Sequence, residues 1–146
     1  MTLSFSHFGI CVSDLEQSVR FYCDALGFEP MASHQVGGEF GALMELEGVK
    51  LQSRMLSRDG VTVELLGFDS PGHTGDGQRR PMNQLGLTHL SLRVDDVERL
   101  AKTIEEFGGT VVQGTRTTFD LPEARMDFVY CTDPDGVRIE LMDLPG

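Results

Sequence analysis

Apolar and polar positions alternate through Phe8, Ile10 and Val12, and again through Leu90, Leu92 and Val94. Each run predicts a half-buried strand, at about 5–12 and 87–94. After each strand the apolar spacing lengthens to a helical period. Leu15, Val19, Tyr22 and Leu26, then Val97, Leu100, Ile104 and Phe107, predict amphipathic helices over roughly 14–26 and 96–107. Ser13-x-x-Glu16 and Asp95-x-x-Glu98 have the spacing of capping boxes, and Gly27 and Gly108 are placed to stop the helices. Three strands close each half, the last two joined by a tight turn at Asp59-Gly60 or at Pro134-Asp135-Gly136. The chain therefore reads βαβββ twice. This is an α+β pattern of two tandem modules, about 5–67 and 87–143, in one domain, with a Gly/Pro-rich connection over 68–84.

The two halves also repeat in residue identity. At an offset of 82, Ser6-His7 lies on Thr88-His89, and Val12-Ser13-Asp14-Leu15-Glu16 lies on Val94-Asp95-Asp96-Val97-Glu98. At an offset of 76, Asp59-Gly60-Val61-Thr62-Val63-Glu64-Leu65-Leu66 lies on Asp135-Gly136-Val137-Arg138-Ile139-Glu140-Leu141-Met142, with five identities in eight positions. The change of offset places a six-residue length difference in a loop, where it costs little.

Composition narrows the partners. Twelve basic residues against 23 acidic ones give a net charge of −11, which opposes binding to nucleic acid or to an anionic membrane surface. No apolar run is long enough to span a membrane, and the first residues lack the pattern of a signal peptide. Cys11, Cys23 and Cys131 are scattered and odd in number, which points to reduced thiols and a cytoplasmic protein.

The repeat places a His on the first strand of each half, His7 and His89, and a Glu on the last, Glu64 and Glu140. Both Glu stand within apolar strand sequence, where a carboxylate needs a strong partner. One such residue alone reads as structural or solvated. Four at repeat-equivalent positions point to a divalent cation held by two imidazoles and two carboxylates, with positions left for water or substrate. That donor set suits zinc, nickel, cobalt, manganese or iron equally. His34 and His73 read as solvated loop residues.

These residues, with His7-Phe-Gly-Ile-Cys-Val-Ser-Asp-Leu-Glu, His89-Leu-Ser-Leu-Arg-Val-Asp-Asp-Val-Glu and Asp133-Pro-Asp-Gly-Val-Arg-Ile-Glu140, resemble the vicinal oxygen chelate superfamily from Phe5 to Met142. That superfamily includes glyoxalase I, methylmalonyl-CoA epimerase, extradiol dioxygenases and bleomycin or fosfomycin resistance proteins. The resemblance implies a glyoxalase-like curved mixed sheet with helices on its outer face. It implies His7, Glu64, His89 and Glu140 as the ligands of one divalent metal ion, and proton transfer on a small oxygenated substrate through a metal-stabilised enediolate. Glu64 or Glu140 would act as the base. The ligand set matches bacterial-type glyoxalase I, whereas the spacing from Glu64 to His89 resembles the epimerase. Cys11 and Phe68 stand where glutathione-gripping Arg and Asn are expected, and the stretch 50–58 lacks the epimerase's extra carboxylate. No His follows His89, which makes an extradiol dioxygenase the weakest metal reading. The alternative of another class is a resistance-type binding protein without catalysis, whose members usually lack the four ligands. The resemblance also implies a homodimer; the residues leave open whether one site is formed within a chain or between two.

Turn geometry extends the site. A three-residue turn with Gly136 in the left-handed region pairs Asp133 with Val137, sets Tyr130 opposite Glu140 and puts Phe128 further inward. Carried to the first half, the same register sets Arg54 opposite Glu64 with Gln52 inward, and Arg54 would then receive a substrate carboxylate or thioester oxygen. A two-residue Asp59-Gly60 turn shifts that register by one, turning Arg54 away and Met55 and Ser53 inward. Both registers fit the sequence. The Gly-rich connection suits a lid, and Arg79-Arg80 within it reads as solvated.

Overall fold

Four strands of the first half pair into one sheet, in a computed structural model that describes all residues from Met1 to Gly146. The chain divides into two compact units, Met1–Gly75 and Asp76–Gly146. In the first, β1 (Phe8–Cys11) leads to α1 (Leu15–Arg20), β2 (Glu29–Val36), α2 (Gly41–Met44), β3 (Lys50–Arg58) and β4 (Val61–Ser70). In the order β1-β4-β3-β2, β1 runs parallel to β4 and the remaining pairs are antiparallel.

In the second unit β5 (His89–Arg93) leads to α3 (Val97–Glu106), β6 (Thr110–Val111), β7 (Thr117–Leu121), β8 (Ala124–Thr132) and β9 (Arg138–Asp143). The order is β5-β9-β8-β6, with β7 also on β8, so one strand of the repeat is divided into β6 and β7. β5 again runs parallel to β9. The doubled module read from the sequence is thus present, and no helix is long and apolar enough to cross a membrane.

The helix starts lie one residue later than the capping-box reading. Asp14 accepts a 3.0 Å hydrogen bond from the Gln17 amide, and Asp96 accepts one of 2.9 Å from the Arg99 amide. A cap receives the N–H three residues on, so these aspartates hold the positions assigned to Ser13 and Asp95. α1 then widens into a π-helical turn over Phe21–Ala25, which buries the adjacent Phe21 and Tyr22 together. Of the predicted stripe, Tyr22 and Leu26 are buried whereas Leu15 and Val19 are only half-buried, and Ser18, Phe21 and Ala25 take the other buried positions. Gly27 (φ 72°) and Gly108 (φ 93°) end the two helices in the left-handed region.

Each helix covers one face of its own sheet. Ile10, Leu56, Val63 and Leu65 form the buried face in the first unit, and Val129, Cys131, Ile139 and Leu141 that in the second. Burial pushes the Cys131 thiol up to about 11, with a smaller contribution from Glu105, so this cysteine is an apolar core residue. Residues 71–88 form no helix or strand; the connection begins after Ser70, because β4 extends through Phe68.

Candidate functional site

Side chains alternate across a strand, so the face away from the helix carries Glu64, Ser53 and Met55 in the first unit. Gly9 pairs with Glu64, which places His7, two residues before it, on the same face. There His7 Nε2 lies 2.9 Å from Glu64 Oε2, and Ser53 Oγ donates a 2.6 Å hydrogen bond to Glu64 Oε1. The other imidazole nitrogen, Nδ1, lies 2.8 Å from the Ser6 hydroxyl, which fixes the ring with Nε2 toward the carboxylate.

The second unit repeats this arrangement. His89 Nε2 lies 3.4 Å from Glu140 Oε2, and Nδ1 lies 2.8 Å from the Thr88 hydroxyl. Ser91, the cross-strand neighbour of Glu140, donates to Oε2 of that carboxylate. Both Glu140 contacts fall on Oε2, whereas Glu64 uses Oε1 for Ser53 and Oε2 for His7. The two carboxylates remain about one fifth exposed (21% and 20%), so a ligand can reach them.

Tyr130 stands opposite Glu140, as the three-residue turn implied: Asp133 N–H donates to Val137 O at 2.9 Å and Gly136 has φ 87°. Asp133 locks the turn by accepting from the amides of Asp135 and Val137, both at 2.9 Å. The Tyr130 ring meets His89 edge-on at 5.5 Å. Burial, aided by the Glu140 carboxylate and partly offset by Arg138, holds the Tyr130 hydroxyl above its usual range, so it is a donor at neutral pH. Phe128, opposite Met142, lies on the same face.

The register placing Arg54 opposite Glu64 is corrected. Asp59 (φ 51°) and Gly60 (φ 79°) make a two-residue turn with Arg58 paired to Val61, so Met55 stands opposite Glu64. Arg54 and Gln52 lie on the helix-covered face, where Arg54 pairs with Glu16 of α1 at 3.2 Å and Gln52 donates to Asp69. His34 is likewise corrected, from a loop to β2, where it faces Ser53 across the strand pair. Ser6, Thr88 and Ser91 thus support the imidazoles and the Glu140 carboxylate, and the match of Ser6-His7 with Thr88-His89 in the repeat is the sequence signal for the first two.

Each unit thus brings together one imidazole and one carboxylate, half of a four-ligand set. No group of three or more His, Cys, Asp and Glu side chains is gathered within the structure. The donor chemistry fits a divalent cation: an imidazole nitrogen and a carboxylate oxygen in contact, with the second imidazole nitrogen held by a hydroxyl.

Comparison with known proteins agrees with the fold. The model of the Glyoxalase/Bleomycin resistance protein/Dioxygenase superfamily matches residues 4–141. A 2-epi-5-epi-valiolone epimerase of Actinomyces is 27% identical over 96% of this chain and 79% of its own. A probable lactoylglutathione lyase of Synechocystis is 28% identical over 93% of this chain and 92% of its own. A glyoxalase family protein of Bacillus cereus, of known crystal structure, superposes with a TM-score of 0.82 at 20% identity, covering 100% of this chain and 97% of that one.

Proposed function

Because the chain belongs to the glyoxalase/bleomycin resistance protein/dioxygenase superfamily, we propose that it is a divalent-metal-dependent isomerase, epimerase or lyase that moves a proton on a small oxygenated substrate. The observation that carries this reading is the His–Glu pair made twice, with a hydroxyl behind each imidazole and a serine on each carboxylate. A structural pair needs no repetition at equivalent positions of two modules. His7, Glu64, His89 and Glu140 would hold the metal, whether one chain or a homodimer brings the two pairs together. When bound, the cation supplies Lewis-acid polarisation of neighbouring substrate oxygens. The acidic composition and dispersed cysteines suit a cytoplasmic enzyme.

The chain's own groups divide the rest of the work. Glu140 is the better base, because both of its contacts lie on Oε2 and Oε1 is left to face the substrate. Oε1 takes a proton from the carbon beside a carbonyl, and the electron pair moves onto the carbonyl oxygen. The same carboxyl then returns the proton to that carbon or to its neighbour. Tyr130, kept protonated, donates to a substrate oxygen. Glu64, fixed at both oxygens, acts mainly as a holding group.

The test is proton exchange. Protein reloaded with zinc, nickel or manganese is incubated in D2O with 2-oxo-aldehyde adducts, acyl-CoA epimers and 2-epi-5-epi-valiolone, and deuterium uptake at carbon is followed by NMR. Glu140→Gln is expected to lower exchange about a hundredfold or more while metal remains bound. Full exchange by a metal-loaded Glu140→Gln protein would remove Glu140 from this role.

A further inference from the structure

We infer that Arg138 receives an anionic oxygen group, a carboxylate or a phosphate, of the molecule bound on the open face of the second unit. The anion site deepens the functional reading above by naming a substrate class, but the binding can be tested without the reaction.

Arg54, Arg58, Arg116 and Arg125 are ion-paired with Glu16, Asp59, Asp127 and Asp120. The other basic residues without an ion pair are exposed to water, except Arg138, which is half-buried. Arg138 lies two residues before Glu140 on the same face of β9 and beside His89 across the parallel pair. The expected cation of the first unit, Arg54, is on the covered face, so Arg138 is the guanidinium beside Tyr130.

Arg138 is also held in place. Its Nε donates a 2.9 Å hydrogen bond to the Arg80 carbonyl, and its guanidinium carbon lies 5.5 Å from the Tyr130 ring centroid. The Arg80 segment is itself fixed. A Cβ on Gly136 would fall 2.4 Å from the Gly77 carbonyl oxygen, so only glycine lets this stretch lie against the turn. With Nε taken, the two Nη groups form an end-on fork that matches the paired oxygens of a carboxylate or phosphate. Two fixed contacts lower the entropy lost on binding. In a chain of net charge −11, such a fork supplies the local positive potential that an anionic substrate needs.

The test uses metal-free, EDTA-treated protein with ring-labelled tyrosine, titrated with malonate and separately with inorganic phosphate. The chain has two tyrosines, of which Tyr22 is in the core and Tyr130 stacks on Arg138, so NMR separates the site from the rest. A saturable shift of Tyr130 but not Tyr22 is expected. Affinity should fall about tenfold or more in Arg138→Gln, fall less in Arg138→Lys, and stay unchanged in the exposed control Arg99→Gln. Tighter binding of malonate identifies a carboxylate, and tighter binding of phosphate a phosphate. If Arg138→Gln fails to fold, Arg138→Lys decides, because it keeps the charge and loses the fork. No saturable shift in the wild type, or wild-type affinity in the Arg138 variants, would overturn the inference. Malonate binding by the wild type that is lost in Arg138→Gln, in a protein that takes up no metal, would uphold this anion site and defeat the proposed reaction. Metal-dependent turnover indifferent to Arg138 would do the reverse.

Discussion

Ser53 Oγ donates a 2.6 Å hydrogen bond to Glu64 Oε1 from a neighbouring strand, and Ser53 is fully buried. In the second unit the donor is Ser91, on the other neighbouring strand. The two half-sites reach the same support by different routes, which argues that a serine on each carboxylate is needed rather than inherited by the repeat. Groups of this kind orient metal ligands and raise their affinity. Ser53→Ala and Ser91→Ala are each expected to weaken zinc binding about tenfold, measured by competition with a chromophoric chelator. Unchanged affinity in both would reduce the serines to packing.

The Asp133 carboxylate holds the β8–β9 turn through two amides and is almost fully buried. Removing it leaves both N–H groups without their partner. Asp133→Ala should lose about 2–4 kcal/mol in urea unfolding, whereas Asp133→Asn, which keeps an accepting oxygen, should lose less than half of that. Equal losses would mean that charge rather than turn geometry matters.

The two sheet registers show why one half of the site was legible in the sequence and the other was not. Repeat identity alone placed Glu64 and Glu140 on equivalent strands, with His89 opening β5 and His7 immediately before β1, and the turn rule placed Tyr130 opposite Glu140. Asp59-Gly60 and Asp135-Gly136 look alike as sequence, yet Asp133 accepts two amide hydrogens and creates the longer turn only in the second half. Arg58 precedes the first turn and pairs directly with Val61, so the register slips by one and Arg54 leaves the site. The π-helical turn in the first helix was equally hidden, because Phe21 and Tyr22 fit no single helical stripe. No local pattern marks Arg138, because its place is set by contacts with Arg80 and Tyr130 that lie far off in sequence or across the sheet.

Asp127 is held below the usual carboxylate range, first by its hydrogen bonds from Arg116, with Thr118 also contributing. A lowered folded pKa means the stabilisation is complete above the unfolded carboxylate value, near about 4, and fades as pH falls through the lower folded value. The stability gap between wild type and Asp127→Asn should therefore be constant from pH 7 to about 5 and shrink below about 4. A gap that does not change down to about pH 2.5 would contradict the pairing as the source.

Ser18 is buried in α1, and its hydroxyl has no hydrogen-bond partner. Ser18→Ala should raise stability by about 0.5–2 kcal/mol, because it removes an unsatisfied group and improves helix propensity. A loss of stability would indicate a bridging water at that hydroxyl.

The central claim is that the two His–Glu pairs serve a metal. The direct measurement is elemental analysis of protein purified without added metal or a polyhistidine tag, beside the His7→Ala/Glu140→Ala double variant. About one divalent ion per chain in the wild type, absent from the variant, is the expected result. No metal in the wild type, even after reloading with zinc, nickel or manganese, would contradict the claim and leave a binding protein whose His–Glu pairs are structural.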